Sequence, residues 1–255
     1  MWNNCFTYCK GVIKMDEMTF LTTLSNQDIK LSKDQLNQFD RYYQLLVEWN
    51  QKINLTAITQ REEVYLKHFY DSLICLWQMP LESYQIKLCD VGAGAGFPSL
   101  PLKIVRPELK VTIVDSLKKR THFLELLVSE LKLDNVEIIH ARAEDFGHLE
   151  KQRESFDLVT ARAVARLNTL SEYCLPLVSL GGNFLALKGD WNLCQEELNE
   201  AKRALNILGG RVVQSNYCQL PENQGERSFL LINKVEKTPK KYPRQAGKPS
   251  KQPII

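Results

Sequence analysis

The apolar positions of this chain change period partway along it. From Ser32 they recur at helical spacing as Leu36, Phe39, Tyr43 and Leu46, and Ser32 with Gln35 three residues on makes a capping box, so a helix is predicted to begin there. A second helical stretch is predicted over 62–77, closed by Pro80. From Ile86 the texture turns to short β-branched runs, at 86–91, 111–114, 136–139, 156–160 and 183–187, which alternate with helix-length amphipathic segments. The helix over 118–131 carries Phe123, Leu127 and Leu131 every four residues, and the helix over 195–208 ends at Gly209-Gly210. That alternation predicts an α/β fold with an open, mostly parallel sheet and helices on both faces. Beyond Gly210 the runs 211–217 and 228–235 have only a loop with Pro221 and Gly225 between them, so they should pair antiparallel.

Composition narrows the class. A chain of 255 residues, 44% hydrophobic and 25% charged, suits one soluble domain with an appendage, and at that size the core needs no covalent staple. The seven cysteines (Cys5, Cys9, Cys75, Cys89, Cys174, Cys194 and Cys218) are scattered and read as reduced thiols. His68, His122, His140 and His148 lack two-ligand spacing with a nearby Cys or acid, so no metal is expected. No apolar run is long enough for a bilayer and the first twenty residues lack a secretory stretch, which places the chain in the cytosol, away from membranes. Charge is uneven. Residues 234–255 hold seven Lys or Arg against the single acid Glu236, a net +6, while the other 233 residues net −3. With Pro239, Pro243, Pro249 and Pro253 and little apolar content, this segment is expected to be a flexible or partner-ordered tail that touches RNA.

The strongest local signal is Asp90-Val91-Gly92-Ala93-Gly94-Ala95-Gly96-Phe97-Pro98, which follows the first strand of the sheet and opens a helix near Pro98. Glycines there let a ligand approach the backbone beyond the carboxyl ends of the strands. A dinucleotide loop wants glycine at its sixth position, where Phe97 stands, and no Gly-Lys-Ser/Thr follows for a nucleoside triphosphate, so S-adenosylmethionine fits better. Asp115, 21 residues after Gly94, ends the second strand where a carboxylate could accept both ribose hydroxyls. The loop Arg142-Ala143-Glu144-Asp145 after the third strand could bracket the adenine, and helix amides near Phe97 would meet the ligand's carboxylate.

Five motifs then converge: Lys52-Ile53-Asn54-Leu55-Thr56, His68-Phe69-Tyr70-Asp71-Ser72, the glycine turn, Val114-Asp115-Ser116-Leu117-Lys118-Lys119-Arg120, and Ala161-Arg162-Ala163. With Lys241-Tyr242-Pro243-Arg244 near the end, the chain from about Phe20 onward closely resembles the RsmG (GidB) family of bacterial small-subunit ribosomal RNA (guanine-N7) methyltransferases. The resemblance implies a class I S-adenosylmethionine-dependent methyltransferase fold, Rossmann-like, with a helical N-terminal extension and an antiparallel strand pair at the C-terminal end of the sheet. It implies four regions: an extra, disordered segment over 1–18, a helical cap over 19–80, the methyltransferase core over 81–236, and the basic tail over 237–255. Met1 to Lys14 match nothing in the family, whose members begin near Met15 or Met18, and are expected to be dispensable.

Carried over residue by residue, the resemblance sets cofactor contacts at Gly92, Phe97, Ala143, Glu144 and Arg162, to which the fold adds Gly94 and Asp115. Arg142, Lys188 and Arg227 match basic positions of the family, and Arg142, Arg227, Lys240, Lys241 and Arg244 are expected to contact RNA. The implied substrate is a guanine of 16S RNA near the decoding centre, as naked RNA or in the small ribosomal subunit, and the protein is expected to act as a monomer. Guanine N7 has an in-plane lone pair and no proton, so no catalytic residue is obligatory, and Arg162, Arg166 and Lys188 are candidates for orienting the reactants. Arg162 and Arg166, four apart, are expected on one face at the carboxyl edge of the sheet. Thr160-Ala161-Arg162-Ala163 stands where an adenine-N6 enzyme would carry an Asn/Asp-Pro-Pro-aromatic run, and no Pro-Cys offers a thiolate for carbon methylation. Two rivals stay open: a methyltransferase acting on a small molecule or protein, and a non-catalytic RNA-binding module.

Overall fold

A computed structural model describes residues 15–77 and 86–255. Pro80, and the N-terminal Trp2, Cys5 and Cys9, lie outside the described residues. Three helical stretches come first: α1 (Glu17–Ser25), α2 (Lys33–Ile53), and a continuous run of α3 (Arg61–Val64), a wide π-type turn Tyr65–Tyr70, α4 (Asp71–Leu73) and a 3-10 turn Ile74–Trp77. Asp16 caps α1 through Thr19 N at 2.8 Å and Met15 is buried, so ordered structure begins ahead of the boundary expected at residue 18. The capping box of α2 forms as predicted, with Ser32 Oγ accepting from Gln35 N at 3.2 Å and Gln35 Oε1 from Ser32 N at 2.8 Å. Gln35 Nε2 also donates to Ile104 O at 2.7 Å, so the residue that starts α2 docks it on the core.

The α/β alternation follows: β1 (Lys87–Val91), α5 (Ser99–Val105), β2 (Lys110–Asp115), α6 (Lys118–Glu130), β3 (Val136–His140), α7 (Ala143–Phe146), β4 (Phe156–Arg162), α8 (Leu167–Cys174), β5 (Val178–Lys188), α9 (Trp191–Leu208), β6 (Gly210–Gln219), β7 (Glu226–Lys234) and α10 (Lys248–Lys251). The sheet order is β3-β2-β1-β4-β5-β7-β6, with β1 to β5 parallel and β7 antiparallel to both β5 and β6. This is the class I methyltransferase arrangement, and the expected antiparallel pair stands at its end. Strand order reverses between β1 and β4, which opens a crevice at their carboxyl ends.

Side-chain alternation splits the core in two. Leu88, Ile113, Leu185 and Leu231 face a cluster shared with Phe39, Tyr42 and Phe69 of the N-terminal helices, while Cys89, Val114, Ala186 and Ile232 face the other cluster with α8 and α9. Among the described residues, no helix is long and apolar enough to cross a membrane.

The expectation of a flexible tail is corrected. After β7 the chain runs back along the α8 side and is anchored at every few residues. Arg153 Nη1 donates to Tyr242 O at 2.7 Å and its Nη2 to Thr238 O at 2.8 Å. Arg244 makes a forked bond to Glu172, which is wholly buried, and Tyr242 and Ile254 join the core cluster. Composition does not reveal this because the segment borrows its stability from the body: Arg244 finds the buried Glu172, backbone carbonyls accept from Arg153, and its prolines reduce the entropy lost on ordering.

Candidate functional site

The glycine turn between β1 and α5 stands at the crevice. Gly92 has φ 74° and a Cβ there would meet Val164 Cγ2 at 2.8 Å, while Gly96 has φ 101° and a Cβ there would meet the Tyr42 hydroxyl at 2.6 Å. Neither position admits a side chain. Tyr42 donates to Ala95 O at 2.6 Å, so α2 holds the turn from behind.

Phe97 fills the place of a third packing glycine by becoming the centre of a stack. Tyr42 lies 5.4 Å from it at an interplanar angle of 4°, His68 lies 4.5 Å away at 17°, and the Arg162 guanidinium sits 5.0 Å from its centroid. The π-type turn brings His68 to this position, and such turns often serve functional sites. Burial, and secondarily Arg162, push the His68 imidazole down to about 3, so the ring is neutral. Its Nδ1–H donates to Lys67 O at 3.1 Å, and the Thr56 hydroxyl donates to Nε2 at 2.8 Å. His68 thus links Thr56 and the backbone of Lys67 in the helical cap to the Phe97 ring.

A cavity of about 340 Å³ opens beyond the carboxyl ends of β1, β2 and β4, with Gly92, Asp115, Arg142, Ala143, Glu144 and Val164 among its walls. It brings together the glycine turn and both acids singled out in the sequence. Asp115 is buried, and its Oδ2 accepts from Gly94 N at 3.3 Å and its Oδ1 from Leu117 N at 2.9 Å. Arg120 approaches Oδ2 to 3.8 Å. Glu144 is also buried; its Oε1 accepts from Gly247 N at 2.8 Å, and Oε2 has no protein donor among the described residues. A site with two inward carboxylates and a side-chain-free turn fits a nucleoside: acids for ribose hydroxyls and an exocyclic amine, bare backbone for the rest. Behind the turn, Asp90 is fully buried, with Oδ2 accepting from Ser99 N at 3.1 Å and Oδ1 unpartnered, and burial pushes its carboxyl up to about 7.

The amides expected to meet a ligand carboxylate are spent internally. Phe97 N donates to Ala93 O, Ser99 N to Asp90 and Leu100 N to Gly96 O, because the turn closes on itself before α5 begins.

The basic residues separate into two groups. Arg162 and Arg166 do not act as one face: Arg162 points to Asp71 at 2.9 Å, whereas Arg166 starts α8 and pairs with Glu200 of α9 at 2.8 Å. The left-handed backbone of Ala163, φ 56°, lies between them in the turn, so the four-residue helical spacing does not apply. Lys188 is tied to Glu197 at 2.6 Å and to Ala165 O at 2.7 Å. Arg227 and Arg244, both expected on RNA, are held by Asp71 at 2.7 Å and by Glu172 at 2.6 Å. Arg142 faces the cavity, and Lys240 and Lys241 are exposed.

Asp71 and Glu172 are the residues whose roles sequence reasoning missed. Asp71 lay inside a quoted motif, but nothing in a linear sequence shows that it faces arginines at 162 and 227. Tyr173, Gly247 and Ser250, also on the cavity wall, gave no signal at all.

A family model described as rRNA small subunit methyltransferase G matches residues 35–228. Relatives carrying the name ribosomal RNA small subunit methyltransferase G are 57% identical in Staphylococcus epidermidis, across 91% of this chain and 95% of theirs. One from Lactococcus lactis subsp. cremoris is 54% identical across 92% and 98%, and one from Exiguobacterium sibiricum 52% identical across 94% and 100%. Among solved structures, a mutant of MtNAS aligns with a TM-score of 0.53 at 14% identity, over 87% of this chain and 83% of that one. The cyclase SpnF aligns at 0.50 and 14%, over 65% and 81%. These two likenesses concern the fold alone.

Proposed function

This chain belongs to the rRNA small subunit methyltransferase G family, and from that premise we propose that it transfers the methyl group of S-adenosylmethionine to N7 of a guanine in 16S ribosomal RNA near the decoding centre. The observation that carries the reading is the cavity at the strand-order reversal, where the glycine turn, Asp115 and Glu144 converge. When bound, the cofactor supplies an electrophilic sulfonium methyl.

The rest falls to this chain's own residues. Asp115 and Glu144 would hold the ribose and adenine ends, and Gly92, Gly94 and Ala143 would let the backbone approach. Phe97 and Arg162 lie beside the turn rather than on the cavity wall, Arg162 stacked on Phe97 and kept in place by Asp71, and there they would support the turn against the helical cap. Because guanine N7 bears a lone pair and no proton, no side chain has to remove one, and rate comes from alignment, worth on the order of 7 to 11 kcal/mol. Arg142, Lys240 and Lys241 are the exposed or cavity-facing cations that we assign to RNA phosphates; Arg166, Lys188, Arg227 and Arg244 are each engaged by an acid partner and are not assigned to RNA. With a ribosomal substrate the reaction would take place in the cytoplasm, and we propose that the protein acts there as a monomer.

Tritiated methyl transfer to small subunits lacking the modification, followed by nucleoside analysis, tests the proposal. Labelled 7-methylguanosine is the expected product. Label in another nucleoside, or in none, would overturn it.

A further inference from the structure

We propose that the C-terminal segment from Arg244 to Ser250 is a working wall of the cofactor site, which reads the adenine end through Glu144, rather than only a carrier of positive charge for RNA. This rests on the cofactor reading above and adds residues to it.

Three observations converge. Gly247 and Ser250 line the same cavity as Asp115 and the glycine turn, although more than 130 residues of sequence separate them from Asp115. The Gly247 N–H occupies Oε1 of Glu144 at 2.8 Å, which fixes the carboxylate and leaves Oε2 as the acceptor for an exocyclic amine. Ser250 borders the cavity beside Tyr173, and the Thr169 hydroxyl donates to Pro249 O at 3.2 Å, so α8 supports the segment from below.

The anchoring is specific. Arg244 donates to Glu172 from its backbone N at 2.7 Å, from Nε at 2.9 Å and from Nη2 at 2.6 Å, and Glu172 is fully buried with no other donor given to it among the described residues. A buried carboxylate is costly unless paired, so Glu172 holds the segment in register. Gly247 has φ 82°, a left-handed conformation that turns the chain so that its N–H points at Glu144. The two acids of α8 and α7 thus grip the segment at Arg244 and at Gly247, and this sets Gly247 and Ser250 on the cavity wall.

The test is calorimetric binding of S-adenosylhomocysteine, with no RNA present, to three proteins: the full chain, a chain ended after Arg244, and the full chain with Ser250→Phe. The first variant removes Gly247 and Ser250 but keeps the Arg244 fork; the second leaves the anchors and puts bulk into the cavity. Hydrogen exchange at residues 245–251 is followed with and without the compound. Dissociation constants at least about 10-fold weaker for both variants are expected, since a fixed hydrogen bond to a charged group is worth about that factor. Slower exchange of the segment in the complex is expected as well, and Ser250→Phe should keep the parent's melting temperature. Parent-like affinity in Ser250→Phe, or exchange untouched by the compound, would overturn the proposal whether or not the shortened chain folds. A full chain that binds neither S-adenosylhomocysteine nor S-adenosylmethionine would instead remove the cofactor reading itself.

Discussion

Asp71 Oδ2 accepts from Arg162 Nη1 at 2.9 Å, so a residue of the helical cap holds the residue that ends β4, 91 positions later in the chain. The other oxygen of Asp71 accepts from Arg227 Nε at 2.7 Å, and the carboxylate is 7% exposed. One acid therefore ties the cap to two strands of the sheet.

Asp71→Asn should cost about 3 kcal/mol of stability, the low end for breaking a buried pair, because both arginines keep partial contact with water. Urea unfolding measures it. Loss of Arg162 from its place over Phe97 should also weaken S-adenosylhomocysteine binding. A stability change below about 1 kcal/mol would mean that the arginines find other partners.

Burial raises Asp90 to about 7, well above an unfolded aspartate. Between about pH 4 and 7 the folded chain keeps a proton that the unfolded chain has released, so this group's contribution to stability is present at low pH and lost as pH rises through 7. Asp90→Asn removes the titration and should gain on the parent by an order of a few kcal/mol at pH 8, with the difference vanishing near pH 4. Melting temperatures of both proteins from pH 4 to 8 decide it; a constant offset would contradict the buried acid.

Asp115→Asn keeps the acceptor for one backbone amide but lacks the charge. S-adenosylhomocysteine should bind roughly 10- to 100-fold more weakly, with the circular dichroism unchanged. Equal affinity would take Asp115 out of the site.

Lys240→Ala with Lys241→Ala should leave cofactor affinity intact and lower the slope of log affinity against log salt for small-subunit RNA by about 1 to 2. Unchanged slope would move the RNA surface elsewhere. Removing the whole tail would not isolate the charge effect, because it would also disturb Glu172 and Glu144.

The sheet was legible because strand periodicity and glycine punctuation are local: every strand expected from the sequence appears, and Ser32 with Gln35 caps α2 as their spacing requires. The candidate cavity was legible in part, since Asp115 ends a strand and Gly92 and Glu144 come just after one, so they collect at one edge. What stayed hidden was pairing across long separations. A free-looking Arg227 or Arg244 is indistinguishable in sequence from one neutralised by Asp71 or Glu172, and a proline-rich basic segment gives no hint that a buried acid awaits it. Arg166 failed for a local reason, the left-handed turn at Ala163.

The cluster that Phe39, Tyr42 and Phe69 share with Leu88, Ile113 and Leu231 leaves the helical cap no core of its own. Cap and sheet should therefore melt in a single calorimetric transition, with van't Hoff and calorimetric enthalpies in agreement. Expressed from Ile86 onward, the sheet alone would present a bare greasy face to water and gather into aggregates instead of remaining a soluble half-enzyme.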